Sequence, residues 1–348
     1  MTTQSETKRA TSKAAKPRQP EFDRELANKC EQLIGWRVAS MQFPGGQSRD
    51  TIKLILKKSA PVYASRRSRK NKADTERLIL QTISRAGGKV PKLLGSDGDK
   101  LLIQEDIPGV RLTQAIHNRS SKTISRYLDN ALAGLAAIQQ MGSEQGLDEK
   151  LSPLGDSPDW LAGLLDRPRV LGKFFDIPTP RLAQEPLKAL LAMRNPRFVK
   201  WDSRPGNAIA RDDGEVFWID WEHSGTRNRL DDMVWLLADE FIPDRPDIEA
   251  GLLEKYLPVF ADDFTIDQAR QYFYVLGVFH LVVRLGLILK YKKDGSWWSY
   301  TKCLAGDKAG VTLRNVNRIF DRGVRWAEQN PETAELAPWF SKLRINLE

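Results

Sequence analysis

The segment from Lys200 to Glu222, KWDSRPGNAIARDDGEVFWIDWE, sets an aspartate, an asparagine and a second aspartate at intervals suited to holding a metal-bound nucleoside triphosphate. The residues concerned are Asp202, Asn207 and Asp220. The pattern predicts a tight loop from Asp202 to Gly206, a strand from Asn207 to Arg211, an Asp212-Asp213-Gly214 turn and a return strand from Glu215 to Ile219. Such a hairpin sets Asn207 beside Asp220. Phosphoryl transfer asks little covalent help of a protein: it needs in-line positioning, a metal bridging the phosphates and a carboxylate that orients the attacking hydroxyl. These three residues can supply the last two needs. Outside such a context the same carboxylates would be ordinary solvated loop groups.

The segment resembles the catalytic loop and metal-binding hairpin of the aminoglycoside phosphotransferase and choline kinase group, whose pattern is H-G-D-x-H-P-G-N followed, after a hairpin, by I-D-W/F-E/G. The resemblance implies that Asp202 is the catalytic carboxylate and that Asn207 and Asp220 are Mg²⁺ ligands. It also implies ATP as the donor and a small-molecule hydroxyl as the acceptor. Further on, GTRNRLDDMVWLLAD resembles the family's G-D-P-x-x-D-L-A segment and puts Asp232 at its structural aspartate. Two departures stand out. Lys200-Trp201 replaces the family's His-Gly, and a lysine ammonium can donate to the same kind of carbonyl as that histidine. Arg204 stands where the antibiotic kinases often carry His, and a fixed cation there can neutralise charge on the transferred phosphoryl group.

The fold implied is α+β, a two-lobed protein kinase-like architecture. A small antiparallel-sheet N-lobe would span 21–107, and a larger, mainly helical C-lobe with the catalytic loop would span 108–348. Such a lobe needs a glycine turn, a strand cation, a helix glutamate and a hinge in that order. Strands at Val38–Phe43 and Thr51–Leu56 flank Pro44-Gly45-Gly46-Gln47-Ser48, where Gly45, Gly46 and Ser48 would let backbone N–H groups approach phosphates. The strand Pro61–Arg66 ends in Arg66-Arg67. Alternation sets Val62, Ala64 and Arg66 on one face, so Ala64 would touch the adenine and Arg66 the phosphates. A following helix, with Asp74 as N-cap, would carry Glu76 in its first turn to hold that arginine. The bland alternative is a solvated basic loop, since Arg69, Lys70 and Lys72 follow closely. Strands at Lys89–Ser96 and Leu101–Asp106 would complete a sheet of about five. The string LLIQEDIPG resembles the family's hinge, where the backbone of Glu105 and Ile107 would meet the purine.

Beyond the hinge the periodicity becomes helical. Ile124, Tyr127, Leu128, Ala131, Leu132, Leu135 and Ile138 mark a long amphipathic helix. Tyr272–Leu289 is more apolar but holds His280 and Arg284, which points to a buried core helix with Arg284 paired to a carboxylate rather than a membrane span. The first 20 residues have five basic residues, one acidic residue and no apolar run, and read as a disordered basic tail. Cys30 and Cys303 are the only cysteines of the 348 residues, a usage that suits a reducing cytoplasm. Nine acidic residues between 238 and 268 would suit a cationic acceptor. Two other functions share these features: a nucleotide-binding pseudokinase acting through a protein partner, and a nucleic-acid or anionic-membrane binder working through the basic tail. No nucleic-acid module accompanies the net charge of +9, which makes nucleic acid the weaker partner.

Overall fold

The computed structural model describes residues 20–44, 51–293, 295–306 and 308–347. The tail through residue 19 and the turn residues Gly45, Gly46 and Ser48 therefore lie outside the described residues. Five strands form one antiparallel sheet: β1 (Val38–Gln42), β2 (Thr51–Leu56), β3 (Val62–Arg66), β4 (Leu93–Ser96) and β5 (Leu101–Glu105), in the order β1-β2-β3-β5-β4. Strand β4 starts later than the sequence pattern suggests. Pro91 lacks a backbone N–H, and the Lys89 carbonyl is bonded instead to the Trp218 N–H at 2.9 Å, in the catalytic hairpin.

Two helices settle which face of this sheet is which. The helix α1 (Pro20–Ile34), not anticipated from the sequence, carries Leu26 and Cys30 one turn apart and buries them against Ile52, Leu54, Val62, Ala64 and Ile103. Each fully buried Leu or Ile of such a layer contributes about 1.5–3 kcal/mol. Ala64 is therefore a core residue on the face away from the cleft. The helix α2 (Lys70–Arg85) runs on the other side and buries Glu76, Ile79, Leu80 and Ile83. It starts at Lys70 with Arg69 as its N-cap, so Asp74 is not a cap. Asp74 lies a turn inside, where it takes Lys70 at 2.9 Å, and Glu76 falls in the second turn.

After β5 the chain leaves the sheet through Asp106, held by Lys53 at 2.6 Å, and reaches Gly109. Gly109 has φ +147°, and a Cβ there would lie 2.5 Å from the Ala210 carbonyl oxygen, so only glycine fits. The short strand β6 (Val110–Arg111) then pairs with the catalytic hairpin. With β7 (Arg197–Val199), β8 (Ala208–Ala210), β9 (Val216–Trp218) and β10 (Gly225–Arg227), two small sheets form: β6-β8-β9 and β10-β7. Among the described residues, everything else beyond residue 111 is helical or loop. The helix Ser121–Glu144 opens on Ser120, whose Oγ accepts the Thr123 N–H, and buries the predicted Ile124-to-Ile138 stripe.

The helix Ile266–Lys292 is the one helix among the described residues long and apolar enough to cross a membrane, but 78% of its apolar window is buried inside the protein. It is the spine of the helical part and starts on a Thr265–Gln268 capping box. Arg284 within it makes a two-pronged bond to Glu240 at 2.8 and 2.7 Å, the carboxylate pairing its sequence context requires. Against the cost of burial, Arg284 holds Glu240 below the ordinary carboxylate range.

Candidate active site

The loop from Lys200 to Asn207 hangs from a single buried carboxylate. Asp232 accepts the backbone N–H of Lys200 at 2.8 Å, that of Trp201 at 2.8 Å and the Gln139 amide at 2.8 Å. Burial pushes its carboxyl pKa up, and these donors oppose the shift. Ser203 Oγ adds a bond to the Asp232 carbonyl at 2.8 Å. Trp201, at the family's glycine position, has φ 69°, a left-handed conformation costing a non-glycine residue about 1–2 kcal/mol. Its indole offsets that cost by packing between Trp160 and Trp235, with ring centroids 5.7 and 5.6 Å away and the Arg227 guanidinium at 5.1 Å.

The loop closes with the turn Pro205–Asn207, and Asn207 Nδ2 donates to the Asp202 carboxylate at 2.8 Å and to the Asp202 carbonyl at 3.0 Å. With its NH₂ used in this way, the ligating atom left to the Asn207 amide is its oxygen. Across the β8–β9 hairpin, the Ile219 N–H bonds the Asn207 carbonyl at 2.9 Å and brings Asp220 alongside. Asp220 too is left-handed, with φ 62°. Lys200, only 1% exposed, fixes it there: Nζ donates to the Asp220 carbonyl at 2.6 Å and sits 4.8 Å from the Trp221 ring. Lysine thus supplies the backbone tie that the family's histidine makes. Burial pushes the Lys200 pKa down, against the pull of Asp202 and Asp220.

Above the hairpin, Glu76 is fully buried and gathers three donors: Arg67 Nε, the Gln104 amide at 3.1 Å and the Trp221 N–H at 3.2 Å. Arg67 Nη1 continues to Asp220 Oδ1 at 3.0 Å and Glu222 at 3.7 Å. The cation on Glu76 is therefore Arg67, not Arg66. Because α1 covers the Val62/Ala64 face, the face left for the cleft is that of Tyr63, Ser65 and Arg67, and Arg66 is exposed on the other side. Against burial, Glu76 and then Asp220 hold Arg67 firmly protonated, while Arg67 and Lys200 hold the Asp220 carboxyl below its ordinary range.

These groups line one cavity of about 800 Å³ between the five-stranded sheet and the helical part. Lys53, Tyr63, Ser65 and Arg67 form its roof, Glu105 and Ile107 its hinge edge, and Asp202, Asn207 and Asp220 its floor. A family model described as the Phosphotransferase enzyme family matches residues 41–272, two-thirds of the chain. The chain belongs to the Phosphotransferase enzyme family. This phosphotransferase is similar in fold to macrolide 2'-phosphotransferase type I, at 14% identity with a TM-score of 0.52, over 85% of this chain and 98% of that one. It is also similar to the GDP complex of a mutant aminoglycoside 2'-phosphotransferase-IIIa, at 14% identity and a TM-score of 0.50, over 79% of this chain and 92% of that one. No curated protein matches the sequence. The family and these likenesses bear out the two-lobed kinase-like fold and the small-molecule phosphotransferase class.

The floor of the phosphotransferase cavity fits a hard divalent cation. Its donors are a carboxylate and an amide oxygen; the buried Asp220 Oδ1 has Arg67 as an ion-pair neighbour at 3.0 Å but makes no well-aligned hydrogen bond. At the cavity's edge between sheet and helical part, the Glu105 N–H is committed to the Lys92 carbonyl at 3.0 Å. Arg204 lines the cavity beside Asp202, with Nε 3.3 Å from the fully buried Asp239. Burial, then the adjacent Glu240, push the Asp239 pKa up. The acidic stretch 238–268 contributes no residue to the cavity wall. Asp239 and Glu240 are spent on Arg204 and Arg284, and Asp244 and Glu249 on Arg325 at 2.6 Å each. Sequence reasoning also missed the role of Gln104. Its only signal is a period-two position shared with the cleft face, because Gln104 pairs with Tyr63 across β3–β5.

Proposed function

We propose that this chain transfers the γ-phosphate of ATP, bound with Mg²⁺, to a hydroxyl of a small molecule. The observation that carries the reading is the meeting of Asp202, Asn207 and Asp220 on one cavity floor, with Asn207 bonded to the Asp202 carboxylate at 2.8 Å. Asp202 orients the acceptor hydroxyl and takes its proton through a carboxylate oxygen. Asn207 Oδ1 and Asp220 would hold the metal, which would supply charge neutralisation at the phosphates. Arg67, steadied by Glu76, engages the phosphates from the roof. Arg204 offers its guanidinium to the transferred group, and Gly45, Gly46 and Ser48 their backbone N–H groups to the phosphates. The Glu105 carbonyl and the Ile107 N–H face the purine. Buried, unpaired Cys30 and Cys303 agree with a cytoplasmic setting.

Asp202→Ala tests this reading. We expect loss of transfer with MgATP binding by calorimetry preserved. Full turnover in the variant would refute the assignment. MgATP binding by the wild-type protein, with no transfer to any hydroxyl compound, would favour the pseudokinase alternative.

A further inference from the structure

The wall of the cavity opposite the sheet has a chemistry of its own. It is contributed by the helical part and carries Leu287, Tyr291, Trp298 and Lys308, with Arg111 and Arg204 at its base. Tyr291 is 50% exposed and Trp298 38% exposed, so two large aromatic rings stand open to solvent at the rim of the one cavity that also holds Asp202. Exposed aromatics gathered at a cavity mouth mark a surface that a ligand covers. Among the described residues, the charged side chains of this wall, Arg111, Arg204 and Lys308, are all cations. Arg111 is tied to the Gly206 carbonyl, a neutral acceptor, and Lys308 is exposed with no carboxylate partner among the described residues. Arg204 is matched by Asp239. Asp202 lines the same cavity, and its place is at the reacting hydroxyl.

We propose that the acceptor is a hydroxyl compound built on a flat or apolar ring and bearing an anionic group, and that polycationic amino sugars are excluded. This inference rests on the phosphotransfer reading of Asp202. Tyr291, Trp298 and Leu287 take the ring, while Lys308 and Arg111 take the anion, a carboxylate or a phosphate ester. Asp239 and Glu240, which could recognise an ammonium group, are turned into the core against arginines, so a polycation would meet like charge on this wall.

The test is a matched set of ring alcohols: hydroxymethylbenzoate, its phosphate-ester counterpart, benzyl alcohol and aminomethylbenzyl alcohol. Each is titrated calorimetrically into the full chain with Mg²⁺ and a non-hydrolysable ATP analogue, then assayed for transfer from ATP. The expected order is anion above neutral above ammonium, and the two anions separate carboxylate from phosphate recognition. Lys308→Glu should weaken the anionic members about tenfold and relieve the ammonium member. Trp298→Ala should weaken all of them. Preference for the ammonium member, an order unmoved by Lys308→Glu, or binding of no member while MgATP binds normally would each overturn the inference. Those results leave phosphotransfer itself standing. If MgATP is not bound at all, or is bound equally by Asp220→Ala, the phosphotransfer reading falls instead and takes this inference with it.

Discussion

Replacing Lys200 by Met should uncouple the two halves of the floor. The substitution keeps an unbranched side chain of similar length, so it leaves little cavity beside Trp221, but it removes the 2.6 Å bond from Nζ to the Asp220 carbonyl. A hydrogen bond from a charged donor is worth about 1.5–3 kcal/mol, and the buried carbonyl left behind costs about 1–3 kcal/mol. Relief from burying an ammonium, which already depresses the Lys200 pKa, offsets part of that loss. A net loss of about 2 kcal/mol falls on a residue whose left-handed φ of 62° already costs about 1–2 kcal/mol. Asp220 then leaves the conformation that turns its carboxylate to the cavity, and about 2 kcal/mol corresponds to roughly a thirtyfold change in that population. The assay is ATP affinity measured calorimetrically across a Mg²⁺ titration, with urea unfolding alongside. Metal-dependent affinity should fall about tenfold or more, metal-free ATP affinity should hold, and Lys200→His should recover part of the loss. A Met variant whose Mg²⁺ dependence lies within about twofold of wild type would refute the reasoning.

Three further substitutions probe the roof and the spine. Arg67→Met strands the fully buried Glu76 and should cost about 3–5 kcal/mol in urea unfolding and abolish MgATP binding, whereas Arg66→Met should change stability by about 0.5 kcal/mol or less; equal effects would undo the face assignment of β3. His280 is buried against Trp235, and burial, followed by Arg284, lowers its pKa to about 3 from 6.5, so the unfolded chain takes up a proton between those values and the native one does not. Its contribution is whole above about pH 6.5 and shrinks by about 2 kcal/mol by about pH 5, a slope that unfolding midpoints should register and His280→Phe should flatten.

What could be read without coordinates was local. Asp202, Asn207 and the hairpin to Asp220 are linked by short stretches of chain, so the spacing of turn residues and strands already limits where those side chains can lie. The hydrophobic stripes of the long helices are local in the same sense, and so is the demand that Arg284 find a carboxylate. The choice between Arg66 and Arg67 was of another kind. Alternation gives two faces but not which one meets the cleft, and that depends on α1, a helix thirty-odd residues upstream that covers the Val62/Ala64 face. Likewise, whether Asp239 and Glu240 greet a substrate or neutralise buried arginines depends on Arg204 and Arg284 arriving from distant segments. The sequence by itself determined that Asp202, Asn207 and Asp220 share one cavity floor, because residues close along the chain share a backbone that holds them together. The roof, the charge of the acceptor wall and the lysine strut were decided only by the tertiary structure, because burial and pairing belong to surfaces that meet across the fold.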